Sequence, residues 1–254
     1  MNWRERQGRR AVDALYTSIY NEPMRRDRAF TLVELLVVVG VIALLIALLM
    51  PALRGARQAA MQLECAANMR QWTTALHVYV DENNGSLPRR GQGGQPTSKL
   101  DRPTDWFNAL PPIMRMKSYQ QLASDAQIPH SGDRSIWVCP AAVSDGPGPY
   151  YFSYSMNMGL STWSTTTPDK ITSVASWSTF VFMGEGPGAY CAVWPVEADF
   201  SPVARHRGKM NVSFLDGHVA AMRAGEVMFL ADGAQRPDVR WVVPASPWTG
   251  PGSN

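Results

Sequence analysis

The sequence predicts an α+β protein in which a long N-terminal helix, half membrane-spanning and half amphipathic, precedes a small antiparallel β-sheet with long loops. Residues 32–50 are almost continuously apolar. From residue 52 to 81, apolar residues recur at intervals close to the 3.6-residue period of a helix. After Pro88, short apolar runs alternate with segments rich in Gly, Pro and Asp, which is typical of strands joined by loops.

The composition excludes several classes of protein. With 45% hydrophobic and 10% aromatic residues, the 254-residue chain has ample apolar surface for a core and is not disordered as a whole. Three cysteines are too few for a disulfide-dense miniprotein of this length. Seven arginines and four acidic residues precede Phe30 and account for the whole net charge of +3. The remainder carries no net charge, so no nucleic-acid partner is expected.

The apolar run LVELLVVVGVIALLIALLM (residues 32–50) has the composition of a membrane-spanning helix. At a rise of about 1.5 Å per residue it is roughly 28 Å long, close to the thickness of the hydrocarbon layer of a bilayer. A core helix of a soluble protein is the alternative, but such helices usually carry a polar stripe. A cleaved secretory signal is disfavoured, because the run is longer than a signal h-region and Pro51 and Arg54 occupy the place of a small-x-small cleavage site.

Arginines before the apolar run predict its orientation. Arg25, Arg26 and Arg28 stand immediately before it. By the positive-inside rule, the N-terminus lies in the cytoplasm and the residues after the run lie outside. Since no second run of comparable length follows, we expect a single pass through the inner membrane.

The helix is predicted to continue beyond the membrane and to end near residue 84. Pro51 disturbs it locally, since proline lacks the backbone N–H that a helix interior uses. Asn83, Asn84 and Gly85 form a stop signal that is followed by Pro88. The face expected to pack on a domain consists of Leu53, Ala56, Ala60, Leu63, Ala67, Leu76, Tyr79 and Val80. The predicted organisation is a basic leader at 1–29, a transmembrane helix at 30–50, an amphipathic extension at 51–84 and a β-rich extracytoplasmic domain at 85–254.

Four short apolar runs are predicted to be strands of this domain: 135–139, 150–154, 178–183 and 210–215. The clearest local signal is Asp216-Gly217, which lies between two apolar stretches and favours a two-residue hairpin turn. That turn would place Phe214 opposite Val219, and Val212 opposite Ala221.

The segment RAFTLVELL (residues 28–36) resembles the N-terminal signature of type IV prepilins and type II secretion pseudopilins. The resemblance implies that a prepilin peptidase/methyltransferase cuts between Ala29 and Phe30 and methylates the new Phe30 amine. Ala29 stands where the family usually has Gly. The resemblance also implies that Glu34, the fifth residue of the mature chain, pairs with the N-terminal amine of a neighbouring subunit. A carboxylate inside a membrane is costly without such a partner.

The same resemblance implies a pilin-like fold and a structural role rather than an enzymatic one. The partners would be the processing peptidase and other pilin-like subunits, in a filament of one or several kinds of subunit. Whether the filament is a pilus or a secretion pseudopilus stays open. The alternative function is a membrane-anchored extracytoplasmic module that binds a metal or a surface.

A second resemblance concerns the C-terminal part of the chain. His206 precedes Asp216-Gly217 by nine residues, and with Cys139-Pro140 this spacing resembles the H-X9-DG domain found with prepilin-type processing signals. The resemblance does not settle what the motif does. In one interpretation the motif is structural: Asp216 forms a turn, and His206 hydrogen-bonds to a loop.

In the other interpretation, His206, Asp216 and His218 hold a metal, either in a binding module or in a membrane-anchored enzyme. Calcium prefers oxygen ligands, which Glu197, Asp199 and Asp216 offer, and no other cofactor is expected. Motifs of common hydrolases and of phosphate-binding loops do not occur in the sequence.

The extracytoplasmic compartment permits one disulfide among the three cysteines. Cys139 and Cys191 both lie in the region of the predicted sheet, whereas Cys65 lies on the predicted helix. The expected pair is therefore Cys139–Cys191, with Cys65 left as a thiol.

Overall fold

A computed structural model of the chain describes residues 31–91, 97, 99–144, 146, 148–160, 170–195, 201–230 and 234–241. The chain divides into two compact units, residues 1–52 and 53–254. The predicted α+β class is confirmed, because the described elements are one long helix, several short helices and a five-stranded sheet.

Helix α1 (Leu32–Glu82) begins in the first unit with a capping box. The Thr31 N–H donates to Glu34 Oε2 (2.9 Å), and the Glu34 N–H donates to Thr31 Oγ1 (3.2 Å). Residues 32–50 are exposed throughout, and the helix is long and apolar enough to cross a membrane. Pro51 lies inside α1, as predicted for a helix that continues past the proline.

In the second unit, one face of α1 is buried against the sheet and loops. At its centre Trp72 is fully buried, with ring centroids 4.7 Å from Trp137 and 5.4 Å from Trp106. Its indole Nε1 donates to the Ile136 carbonyl (3.1 Å). The large apolar residues of this face recur every three or four positions, as the helical period requires: Cys65, Met69, Trp72, Leu76 and Tyr79.

The packing face predicted for α1 is only partly correct. Its last three members, Leu76, Tyr79 and Val80, are buried, as expected. Its earlier members lie roughly opposite the buried face at 100° per residue, and all of them are exposed. We call them the exposed stripe: Leu53, Ala56, Ala60, Leu63 and Ala67. The helix therefore has two apolar faces, and periodicity alone does not decide which of them packs on the domain.

The sheet has the strand order β3-β1-β2-β4-β5, with β3 parallel to β1 and every other neighbouring pair antiparallel. The strands are β1 (Phe152–Asn157), β2 (Val181–Gly188), β3 (Ala192–Val193), β4 (Lys209–Phe214) and β5 (Val219–Arg223). β1 and β2 are buried almost throughout. The sheet lies between two apolar clusters, one containing Trp72 of α1 and the other containing Val212 and Trp241.

Three of the four predicted strand segments overlap observed strands, and the segment 135–139 does not. Its backbone carbonyls are used by side chains of α1 instead. Ile136 accepts from Trp72, as described above, and the Val138 carbonyl lies 3.5 Å from Asn68 Nδ2. This segment therefore forms a support for the helix rather than a strand.

The described residues also form three short α-helices, besides the 3-10 helices Pro111–Met114, Met158–Leu160 and Ile171–Ser173. The α-helices are α2 (Trp106–Ala109), α3 (Tyr119–Ser124) and α4 (Ala224–Val227). Ser118 and Gln121 form a capping box at the start of α3. The Trp106 indole of α2 donates to the Cys191 carbonyl (2.9 Å), which ties α2 to the edge of the sheet.

Asp105, which precedes α2, is a buried carboxylate that should make stability depend on pH. Its side chain is 1% exposed, both of its oxygens have no hydrogen-bond partner among the described residues, and Arg89 Nε is 4.0 Å away. Burial raises the pKa of Asp105 from 3.8 to about 6, although Arg102 and Arg89 act in the opposite direction. A raised pKa means that the folded state binds this proton more tightly than the unfolded chain does.

The free energy of unfolding should therefore fall as pH rises from about 4 through about 6, by on the order of 2 kcal/mol. Asp105→Asn should remove most of this dependence, and Asp81→Asn, at an exposed position of α1, should not. Urea unfolding of the full chain in detergent at several pH values measures both. An unchanged slope in Asp105→Asn would assign the dependence to other groups.

Candidate functional site

Four buried side chains from four separate segments meet in the second unit. Cys65 comes from α1, Cys139 from the loop before β1, Glu185 from β2 and His206 from the turn before β4. Their sulfur, nitrogen and oxygen ligand atoms all lie within 4.8 Å of one another. We call this group the Cys-His-Glu cluster.

Cys65 and Cys139 form a disulfide across 74 residues of sequence. The predicted pairing of Cys139 with Cys191 is therefore wrong. Cys191 packs elsewhere, since its backbone N–H donates to Thr97 Oγ1 (2.9 Å) and its sulfur lies against Gly91. It is buried and outside the disulfide, and burial raises the pKa of its thiol to about 12.

His206 lies between the disulfide and a buried acid. Its Nε2 is 2.9 Å from Glu185 Oε1 and 3.3 Å from Cys139 Sγ. Asn211 Nδ2 also donates to Glu185 Oε1 (2.9 Å). Glu185 Oε2 is buried without a hydrogen-bond partner among the described residues, which typically costs about 1–3 kcal/mol. Glu185 Oε2 can therefore accept a further hydrogen bond or bind a cation.

His206 is the first residue of a tight turn that leads into β4. His206 and Lys209 exchange backbone hydrogen bonds (2.9 and 3.0 Å), and Arg207 and Gly208 both have positive φ (53° and 76°). This is the geometry of a type I′ hairpin turn, in which glycine is favoured at the second central position. The turn delivers the chain into β4 with the His206 ring against Glu185.

Asp216 and Gly217 lie at the other end of β4. Asp216 Oδ1 accepts from the His218 N–H (3.1 Å) and lies 2.6 Å from His218 Nδ1. The length of β4 separates this group from His206 by roughly 20 Å at 3.4 Å per residue. The structure therefore does not bring His206, Asp216 and His218 together, so the interpretation in which these three side chains hold one metal does not fit it.

The structure has the predicted hairpin at Asp216, but the predicted pairing of its two strands is wrong by one residue. Ser213 pairs with Val219 and Val212 pairs with Ala220. Gly217 has φ 96°, and its N–H donates to the Phe214 carbonyl (3.0 Å), so the loop has three residues and ends in a left-handed glycine. A one-residue shift exchanges the two faces of β5.

Several predicted site residues lie outside the described part of the chain. Ala29 and Phe30, on either side of the predicted cleavage point, belong to this group, as do Glu197 and Asp199, the possible calcium ligands. Glu34 is described and has the capping contacts with Thr31 given above.

Sequence reasoning missed Glu185 and the role of Cys65. Glu185 is a single acid in the apolar, glycine-flanked stretch FVFMGEG (residues 180–186), and this was a signal for a buried acidic side chain. Cys65 shares the helical period of Met69, Trp72 and Leu76, which indicated a buried position facing the domain.

One comparison with known proteins finds a match. A family model described as the prokaryotic N-terminal methylation motif matches residues 24–50. No curated protein and no solved structure matches the chain significantly. The matched motif covers the start of the apolar helix, and it supports a pilin-like subunit with a membrane anchor that is processed by a prepilin peptidase.

Proposed function

We propose that the chain is a structural subunit of a type II secretion or type IV pilus-like filament. The observation that carries the proposal is the N-terminal methylation motif at residues 24–50. In this proposal the peptidase cuts between Ala29 and Phe30, the Phe30 amine is methylated, and the 53–254 unit faces away from the cytoplasm.

Three features of the molecule support this role. The segment 32–50 is helical, apolar and exposed, as a helix must be if lipid or other subunits are to cover it. The arginines before it favour a cytoplasmic N-terminus. Further along α1, the exposed stripe of leucine and alanine side chains suits close helix–helix contacts between subunits.

The decisive measurement is the N-terminus of the mature protein. The full chain is expressed with a prepilin peptidase, purified from membranes, and examined by N-terminal sequencing and intact mass. We expect a chain that begins at Phe30 and carries the mass of one extra methyl group. Recovery of an intact N-terminus at Met1, or of a start after Met50, would rule the proposal out.

Two variants at Ala29 serve as matched controls for this measurement. Ala29→Gly introduces the residue that the prepilin signature usually has, so processing should be at least as complete as in the wild type. Ala29→Leu places a bulky side chain before the cut and should leave the leader attached. Equal processing of both variants would argue against a peptidase that reads a small residue at this position.

A further inference from the structure

The Cys-His-Glu cluster contains more coordinating groups than a buried disulfide needs. A disulfide is uncharged and packs well among apolar residues alone. Here Glu185 and His206, 0% and 5% exposed, lie directly against it. Two cysteine sulfurs, an imidazole nitrogen and a carboxylate oxygen are together a ligand set suited to tetrahedral zinc.

The distances within the cluster are close to those of a bound metal. With metal–ligand distances of about 2.0–2.3 Å, neighbouring ligand atoms of a tetrahedral zinc lie roughly 3.3–3.8 Å apart. His206 Nε2 is already 3.3 Å from Cys139 Sγ and 2.9 Å from Glu185 Oε1. The main change needed is separation of the two sulfurs after their bond is broken, which side-chain rotation can supply.

The surroundings of the cluster hold its members in place. Asn211 donates to Glu185 Oε1, and this leaves the partnerless Oε2 for a metal. The Cys139 N–H donates to Ser153 Oγ (2.8 Å), which fixes the loop that carries the sulfur. Such outer contacts orient metal ligands in known sites. A cleft of about 270 Å³, lined partly by Gln58, Pro140 and His206, lies beside the cluster on the side from which an ion would enter.

We propose that Cys65, Cys139, His206 and Glu185 form a zinc site that opens when the Cys65–Cys139 disulfide is reduced. A dithiol reductant gives two electrons to the disulfide: its own thiols become a disulfide, and Cys65 and Cys139 become thiols. Zinc then displaces both thiol protons into solvent. It also takes the Nε2 lone pair of the His206 tautomer protonated at Nδ1, and one oxygen of Glu185.

Oxidation and metal binding therefore exclude each other at this site. The oxidised chain has no thiolate to offer, and the zinc-bound chain holds both sulfurs as thiolates that cannot pair until the metal leaves. The inference does not depend on processing at Ala29 or on assembly of a filament.

The test uses the full chain in detergent under anaerobic conditions. One portion is left oxidised, and the other is reduced with a phosphine that is then removed by gel filtration. Each portion is titrated with Co²⁺ as a spectroscopic probe and then with Zn²⁺. We expect the reduced chain to bind one equivalent of Co²⁺ with thiolate charge-transfer and tetrahedral d–d absorption, which Zn²⁺ abolishes. The oxidised chain should show neither band.

Variants assign the ligands, and near-ultraviolet circular dichroism shows that each one is folded. Cys139→Ser leaves Cys65 as the one thiolate ligand and should lose at least about half of the charge-transfer intensity, and His206→Gln and Glu185→Gln should each weaken Co²⁺ binding by at least about 10-fold. Cys191→Ser is the matched control, because that thiol lies outside the cluster, and it should bind as the wild type does. Asp216→Asn controls for the other end of β4.

Three results would overturn the proposal. The first is reduced wild-type protein that binds less than one equivalent of Co²⁺ or shows no thiolate band. The second is a thiolate band that keeps its full intensity in Cys139→Ser but disappears in Cys191→Ser. The third is reduced protein that loses its near-ultraviolet circular dichroism and does not regain it with Zn²⁺.

Discussion

Replacing Trp72 with alanine should lower the free energy of unfolding of the 53–254 unit by about 4 kcal/mol, at the upper end of large-to-small core substitutions. Trp72 is fully buried, and its ring lies against both Trp106 and Trp137. The substitution leaves a cavity where α1 meets the domain. It also leaves the Ile136 carbonyl without the indole donor, in a segment that forms no strand with the described residues.

Urea denaturation of the full chain in detergent, followed by near-ultraviolet circular dichroism, measures this loss. Leu63→Ala is the matched control, because Leu63 lies on the same helix but is 68% exposed. Its effect should be no more than about 0.5 kcal/mol. Similar losses in the two variants would mean that the exposed stripe stabilises the isolated subunit as much as the Trp72 face does.

Replacing Glu34 should abolish filament assembly while leaving membrane insertion intact. Glu34 stands near the start of an apolar helix, where a carboxylate without a partner is unfavourable. In the single chain it accepts hydrogen bonds from Thr31 N and Oγ1 (both 2.9 Å) and so caps α1. In the proposed filament, its charge would instead pair with the Phe30 amine of a neighbouring subunit.

Three variants separate the capping role from the charge. Glu34→Gln keeps a capping-box residue and removes the charge, Thr31→Ala removes the cap and keeps the charge, and Glu34→Ala removes both. If the charge drives assembly, both Glu34 variants should give no filaments by electron microscopy, and Thr31→Ala should assemble. Filaments from Glu34→Gln but not from Thr31→Ala would reverse this assignment. Membrane fractionation checks that all three variants insert.

Helix α1 was predictable because its signals are local and long. An apolar run, a helical period and the Asn-Asn-Gly stop signal all lie within one stretch of chain, and the helix ends at Glu82. The segment 135–139 shows the opposite situation. Its apolar residues favour a strand, but side chains from α1, more than 60 residues away, use its carbonyls.

The candidate site was less predictable because, like the segment 135–139, it depends on contacts between residues that are far apart in the sequence. The histidine of the H-X9-DG spacing was found, but its partners Glu185 and Cys65 come from β2 and α1, and no local pattern links them to it. The choice of Cys191 as the partner of Cys139 assumed that cysteines near the sheet pair with each other. Instead, the disulfide joins the helix to a loop. Predicting this pair would have required knowing which face of α1 is turned toward the domain.

The nine-residue spacing between His206 and Asp216 sets the length of β4 and of the turns at its two ends. Nine residues supply the turn at Arg207-Gly208, the six residues of β4, and the bend into the next turn. A single insertion within β4 would reverse its alternation: Val212 would face α1, and Asn211 would leave the carboxylate of Glu185. The two ends of the motif therefore need no shared chemistry, because what links them is the length and parity of the strand between them.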